Sequence, residues 1–546
     1  MKRFIFNLAP ALLAALFLAP AISFASTYYV SISTGSDSNT STQAQSKSTP
    51  WAHLPGMPTA TGTAAGSYSA VAGDVFILMG CDVWYNTAGT SNFPLQLSNG
   101  GSSGNPVTIT VDKTWYNTTN CPSAWNRPVF DAHTSASSST PTQIGGTTSG
   151  CISSYGNYFV HFTASYITLD SIELRNLYYA NDAENTCYGG NGLFHVSSAD
   201  YITVSNSYEH DWSMGTYAAG SVSDADEFVL IDGSPTCPHC LLTYNVANNC
   251  ASTSGSGTQP GGALSFVNVT YSIFKCMSNA YKPTYAGEFG WNEITMIGDS
   301  PDPTLHPNCI ESINAIGNGG IYLIHDNVVH DNFVCEGLQV GNPGNPGETD
   351  YVWNNLWYNN TSSGANGPQV PQSGTPVAMY FFNNTVVDWM GGCIRDAGHG
   401  YSWSGAFYSV NNFCINSSGS NSSGSPTAGT ILISKNLGIT DSAAATAGYT
   451  NAQTFVYSPT SATSPTVGMG LNPTSSSWFW PAAASINDTT DACTQQTIAG
   501  VVQSVCPVRT AQTRPATAAW DVGAYQFPSA TTGTPAPPTG LTGVGN

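Results

Sequence analysis

From about residue 160 to residue 440 the chain repeats one short pattern of apolar and polar positions. Five stretches align: Tyr322-Leu-Ile-His-Asp-Asn327-Val-Val, Tyr351-Val-Trp-Asn-Asn355-Leu-Trp, Tyr380-Phe-Phe-Asn-Asn384-Thr-Val-Val, Tyr408-Ser-Val-Asn-Asn412-Phe-Cys-Ile and Ile431-Leu-Ile-Ser-Lys-Asn436-Leu. The aligned asparagines recur after 28, 29, 28 and 24 residues. Related runs begin at Tyr166, Tyr201 and Val267. Each unit is a pair of short strands, rich in β-branched and aromatic residues and broken by a polar pair. Such a pair cannot bury its apolar face alone, whereas stacked copies share one continuous core and bond backbone to backbone. The pattern therefore predicts an all-β solenoid, a right-handed parallel β-helix with long loop insertions. A propeller blade needs a longer period and four strands, and sandwiches need domain-sized breaks that are absent here. The recurring Asn fits a turn: Asn tolerates left-handed backbone, and stacked amides bond along the axis. His210-Asp211, His330-Asp331 and Asp388 each follow a ladder position by a few residues. They read as a second repeating turn rather than as catalytic pairs. Helical periodicity is absent after residue 25.

The ends of the chain add an address. Met1-Lys2-Arg3 precedes an apolar run to Ala21, and Ser23-Phe24-Ala25 has small residues where a signal peptidase reads. The expectation is cleavage after Ala25 and a protein that is secreted or held at a cell surface; Pro10 and Pro20 argue against a membrane anchor. The expected organisation is a signal peptide over 1–25, an N-terminal cap and first coils over 26–150, the β-helix core over 151–440, C-terminal coils or cap over 441–527, and a Pro/Thr/Gly-rich tail over 528–546.

Composition narrows the partners. Charged residues make up 8% of the chain and the net charge is −20, against roughly 25% charged residues in ordinary soluble domains. Nucleic acid needs clustered Lys and Arg, so it is excluded as a partner, and a polyanionic ligand needs a local basic patch or a bridging cation. No span of the membrane is expected, and a monomer is. The 14 cysteines are an even number, all beyond the leader, which reads as disulfides. Spacing suggests Cys250 with Cys276, Cys309 with Cys335, Cys393 with Cys414, and Cys493 with Cys506. Cys237-Pro238-His239-Cys240 has redox spacing, but a strand-like run from Leu241 follows it where a redox site opens a helix, so a structural role is expected.

Both ends carry a family resemblance. Thr27-Tyr28-Tyr29-Val30-Ser31, Gly35-Ser36-Asp37, Pro50-Trp51 and Ala72-Gly73-Asp74-Val75 resemble the opening of secreted β-helix proteins of the pectate-lyase-like superfamily. Arg514-Pro515 and Trp520-Asp521-Val522-Gly523-Ala524-Tyr525 are similar to the ending of β-helix proteins described as choice-of-anchor Q, with Gln526 where Glu is usual. The resemblance spans roughly residues 27–527. It implies the fold, and a superfold that hosts lyases, hydrolases, epimerases and adhesins.

Candidate chemistry follows from what those activities need. A polysaccharide lyase requires a base for the proton α to a uronate carboxylate and acidic residues that hold Ca²⁺ against it. Lys282 and Arg395 are the candidate bases. Asp224, Asp226 and Glu227 are the candidate Ca²⁺ ligands. Asp302, His306 and Glu311 form the candidate acid–base cluster near Lys282. A hydrolase needs two carboxylates. Gly398-His399-Gly400 resembles a polygalacturonase motif without the Asp pair or the Arg-x-Lys that accompany it. Two classes stay open: a carbohydrate-active enzyme of lyase or hydrolase type, and a non-catalytic, adhesin-like protein of the cell surface or matrix that binds glycan through exposed Tyr and Trp.

Overall fold

A computed structural model describes residues 25–62, 68–87, 90–138, 144, 158–179, 192–214, 229–233, 237–250, 268–277, 280–281, 286–297, 308–312, 320–332, 335, 337–340, 349–359, 378–389, 405–416, 431–475, 487–507 and 509–528. The chain is the right-handed parallel β-helix that its periodicity predicts. One thirteen-stranded sheet runs from Thr27–Val30 to Ile431–Ser434, every strand parallel to its neighbour. A second runs alongside it from Val83–Thr87 to Leu437–Ile439 and ends at its first coil in the antiparallel Thr90–Ser91. A third face is built from Leu95–Leu97, Val160–Phe162, Gly192–Val196 and Val229–Gly233, and further along the axis from the pair Glu311–Ser312 and Gln339–Val340.

Side chains alternate across each strand, so one row of every sheet points into a shared core. Ile167, Leu169, Ile202, Val204, Leu242, Val269, Phe289, Ile324, Val352 and Phe381 fill it from the first sheet, and Leu174, Phe274, Ile294, Val329, Trp357 and Val386 from the second. Burying each such side chain contributes roughly 1.5–3 kcal/mol. The N-terminal end is closed by aromatic packing, with Tyr28 stacked on both Trp51 and Phe76.

The join between first and second sheet is a tight turn built the same way in ten successive coils. Ser171, Asn206, Tyr244, Tyr271, Trp291, Asp326, Asn354, Asn383, Asn411 and Lys435 all have positive φ. The left-handed residue is therefore the one before the recurring asparagine, not that asparagine itself, which corrects the expectation from sequence. The aligned Asn points inward and bonds along the axis. Asn327 N–H donates to Asn355 Oδ1 at 3.0 Å, Asn355 N–H to Asn384 Oδ1 at 3.0 Å, Asn384 N–H to Asn412 Oδ1 at 3.0 Å and Asn412 N–H to Asn436 Oδ1 at 2.8 Å. The ladder extends back through Asn292, Ser272 and Asn245 to Ser207. A second set of left-handed residues closes the second-sheet strands, among them Asp211, Asp331 and Asp388, so the His-Asp pairs do sit at a repeating turn.

Three of the expected disulfides form: Cys250–Cys276, Cys309–Cys335 and Cys493–Cys506. Cys414 is disulfide-bonded, and Cys393 lies outside the described residues. Cys237 pairs with Cys240 ahead of the strand Leu241–Thr243, and spacing did not reveal Cys81–Cys121. No helix among the described residues is long and apolar enough to cross a membrane.

After the last coil the chain makes one short helix, Asp441–Thr446, and then doubles back along the turn ladder. Gly523 N–H donates to Asn411 O at 2.7 Å, Asn383 Nδ2 to Asp521 O at 3.0 Å, Cys493 N–H to Trp291 O at 3.2 Å and Ser504 Oγ to Tyr271 O at 2.6 Å. The hairpin Thr494–Ile498/Val501–Val505 reaches as far as Arg127, whose Nη1 donates to Val502 O at 2.6 Å. Arg514 is buried inside this strap and donates to Asn354 Oδ1 and to the carbonyls of Gly523 and Ala524. The Trp-Asp-Val-Gly-Ala-Tyr motif is thus a clasp between the C-terminal segment and the coils.

Candidate functional site on the third face

The three outer faces differ in how much of their chemistry is already committed. On the second sheet, one outward row reads Tyr85, Asp131, Arg175, His210, Asn248, Lys275, Thr295, His330 and Tyr358 from coil to coil. Its charges neutralise each other. Arg175 bonds Asp131 at 2.8 Å and Glu173 at 2.9 Å, and Lys275 lies 3.3 Å from Glu293. His210 is held between Asp211 (2.7 Å) and Glu173 (3.2 Å), and His330 between Asp331 (2.7 Å) and Glu293 (3.2 Å). At the neighbouring turn His325 sits in the same way between Asp326 (2.9 Å) and Glu288 (3.1 Å). Burial works to lower the pKa of His210, but the bonds to Asp211 and Glu173 outweigh it and raise it to about 9. His325 and His330 shift upward for the same reason. Imidazolium ions locked between two carboxylates are poor bases and offer no free lone pair. Further along, this sheet is apolar and covered, with Leu356, Phe413 and Ile415 packed under Tyr449 and Tyr457.

The first sheet and the turn ladder are equally occupied. Tyr351, Tyr380 and Tyr408 stack on one another within 12°, and Tyr351 and Tyr380 share a cluster with Leu471 of the returning segment. Tyr244, Tyr271 and Trp291 stack within 8°. Face-to-face ladders present ring edges outward, whereas a sugar packs against an open ring face.

The third face is different. Leu95, Leu97, Val160, Phe162, Phe194 and Val196 point inward, so Gln96, His161 and His195 point outward from three successive coils in direct register, and Asp232 holds the next position. The rings of His161 and His195 lie 4.8 Å apart, and Tyr158 stacks on His195 at 4.8 Å. Both ring nitrogens of His161 are buried and without a partner among the described residues. Burial first, and the neighbouring His195 second, lower its pKa to about 4. His161 is therefore a neutral imidazole above that pH, with one donor and one acceptor unfilled. Further along the same face Glu311 is buried, accepts from Asn308 Nδ2 at 3.1 Å, and is in register with Gln339. Its N–H donates to Tyr281 O at 2.8 Å, and Tyr281 bridges to Ile310.

Glu311 is the one predicted site residue among the described residues. Asp224, Asp226, Glu227, Lys282, Asp302, His306 and Arg395 lie outside them. Their places in the chain follow one rule. In the order of the chain, each falls between a second-sheet strand and the next first-sheet strand, the interval that also holds the described third-face strands. Lys282 is the residue after Tyr281, and Asp224, Asp226 and Glu227 immediately precede the strand that carries Asp232. The described cations are engaged elsewhere. Lys47, Arg127, Arg175, Lys275, Arg509 and Arg514 each hold a bonded partner, Lys113 lies over Trp125, and Lys435 occupies a tight turn. Among the described residues the one cluster with metal-ligand types is Asp200, Cys237 and Cys240. It does not suit a cation, because the two sulfurs bond each other. His161 and His195 were missed from sequence. The available signal was period-2 alternation in Val160-His161-Phe162 and Phe194-His195-Val196, which places a histidine on the outer face of adjacent coils.

No protein-family model and no curated relative matches the chain. Among solved structures it is similar to a GH136 lacto-N-biosidase from Eubacterium ramulus, at 12% identity over 76% of this chain and 67% of that one, with a TM-score of 0.42. It is also similar to a rhamnogalacturonan lyase (14% identity, 75% and 87% of the two chains, TM-score 0.35) and to pectate lyase Pel9A (13%, 84% and 95%, TM-score 0.35). At such identities the likeness concerns the fold alone.

Proposed function

We propose that the protein is an exported, polysaccharide-cleaving β-helix protein whose cleft runs along the third face. The observation that carries this reading is the outward row on that face, in which Gln96, His161 and His195 occupy adjacent coils and neither ring nitrogen of His161 has a partner among the described residues. A linear glycan repeats along one axis and presents hydroxyls as both donors and acceptors. An axial row of imidazole and amide groups matches that chemistry without a basic patch. On the other two faces most of the described charged and aromatic groups are engaged with one another or covered, the first coil of the second sheet excepted.

For bond cleavage the proposed residues are Lys282 as base, with Asp302, His306 and Glu311, and Arg395 as the second candidate base. In a lyase the base takes the proton α to a uronate carboxylate, the C–O bond to the leaving sugar breaks, and an unsaturated end forms. Asp224, Asp226 and Glu227 are the proposed holders of a Ca²⁺ ion that would neutralise the uronate. In a hydrolase Glu311 serves as one of two carboxylates. The test is release of new sugar ends from plant, algal and bacterial polysaccharides, with Ca²⁺ and with chelator. Unsaturated products lost with chelator identify the lyase and Lys282, and saturated products identify the hydrolase and Glu311. Glycan retained in a pull-down without any product overturns the enzymatic reading in favour of a binding protein.

A further inference from the structure

The first coil carries a second concave site on a different face, between the N-terminal cap loops and the outer side of the second sheet. It is an open cleft of about 720 Å³, within the range of small-molecule sites. Ile32, Val83 and Phe93 supply apolar wall, and His53, Tyr85 and Thr87 supply polar groups. No Asp, Glu, Lys or Arg lines it.

One of those polar groups is held as a presented acceptor. Asp37 is buried and accepts from the N–H groups of Ala52 and His53 at 3.1 Å each and of Thr61 at 2.9 Å, and it bonds His53 Nδ1 at 2.7 Å. Burial opposes the charge on Asp37, but the bonds from His53 and these N–H groups outweigh it and keep its pKa below the usual value. A fixed carboxylate on Nδ1 selects the tautomer with the proton there, which leaves a lone pair on Nε2. Neither His53 Nε2 nor the Tyr85 hydroxyl has a hydrogen-bond partner among the described residues. Asn92, by contrast, is engaged at both ends of its amide, donating to Tyr85 O and accepting from Thr59 Oγ1.

We propose that this cleft is a second carbohydrate site, one that takes a neutral terminal sugar or short saccharide, with His53 Nε2 and the Tyr85 hydroxyl bonding sugar hydroxyls against the apolar wall formed by Val83 and Phe93. The absence of a cation in the lining disfavours phosphate and uronate, and the mix of apolar wall with neutral donors and acceptors suits the two sides of a pyranose ring. The inference rests on the reading of the protein as polysaccharide-acting, but on residues separate from the third face.

Isothermal titration of the mature protein with neutral disaccharides (xylobiose, cellobiose, mannobiose) and with a galacturonate dimer tests it. The expected result is binding of a neutral disaccharide and none of the charged one. His53→Phe weakens binding at least tenfold and Tyr85→Phe at least threefold, while polysaccharide cleavage by both variants stays at the wild-type level. His195→Ala shows the reverse pattern. Tyr85→Phe removes one oxygen and carries the test if the His53 variant melts early. Cleavage without any disaccharide binding, or equal binding by the folded cleft variants, overturns the second site and leaves the third face standing. Loss of both cleavage and sugar binding in the wild type overturns the polysaccharide reading as well.

Discussion

A single glycine and a single histidine show how residue chemistry is decided by position in this molecule. Gly523 has φ +93, and a Cβ there would lie 2.9 Å from Phe413 Cβ and Thr385 Oγ1. Gly523→Ala therefore combines left-handed strain with a clash and should cost about 2 kcal/mol or more. The cost is readable as a lower denaturation midpoint with an unchanged slope. The glycine of the C-terminal motif is needed because the strap docks backbone-to-backbone, a reason invisible in the sequence, where the motif showed only as a resemblance. His161 is the opposite case: its neutral ring is expected to serve binding from pH 5 upward and to fail near pH 4 as it protonates. A His161→Phe variant that keeps full activity and the same acid limb would contradict that role. Sequence reasoning selected Glu311 because it lay in an acidic, histidine-bearing segment. It passed over His161 and His195 because residue type and motif spacing do not show which face of a coil a side chain occupies.

At the scale of the repeating element, the aligned asparagines and the His–carboxylate triads do separate work. Each interior Asn satisfies backbone groups of its neighbours that no water can reach. Asn355 accepts from Asn327 and donates to Ile324 O, Trp353 O and Asn384 Oδ1. Asn355→Ala strands several buried partners and should cost about 3 kcal/mol or more, whereas Lys435→Gly, at the exposed left-handed position before Asn436, leaves the ladder intact and costs less. Equal midpoints for the two variants would contradict this division of roles. The coil period, the strand pair and the axial amide ladder were legible in the sequence because identical neighbours must satisfy the same geometry in every coil. The left-handed site was misplaced by one residue because Tyr, Trp, Asp, Asn and Lys all occupy it, so residue type alone does not mark it.

Across the whole molecule, burial and pairing set a pH dependence. The pKa values of His210, His325 and His330 are raised in the fold. Their stabilising share is complete below their unfolded value near 6.5 and is lost as pH climbs, through about 9 for His210. Glu209 is buried in the core with both oxygens unpartnered among the described residues, and burial raises its pKa to about 8 despite the charge of Arg127. Because it is protonated in the fold and ionised when unfolded, it also removes stability as pH rises from near 4.3 to 8. Glu173, Glu288, Glu293, Asp211 and Asp331 are shifted downward by their histidine partners, although burial opposes the shift. Their share is lost as pH falls below about 4. Thermal midpoints should therefore peak between about pH 5 and 6.5 and decline steadily towards pH 9. Glu209→Gln should flatten part of that decline, and a maximum above pH 8 would contradict the assignment.

The same division of labour organises function. Turns, triads and strap engage most of the described outer groups of the first two sheets, and the proposed ligand face is the third. The most direct test is product release from a polysaccharide panel by the wild type, His195→Ala and Glu311→Gln, with thermal melts as folding controls. The account predicts new sugar ends from at least one glycan with the wild type and a loss of tenfold or more in both folded variants. Undiminished release by both variants would place the chemistry on another face and contradict it.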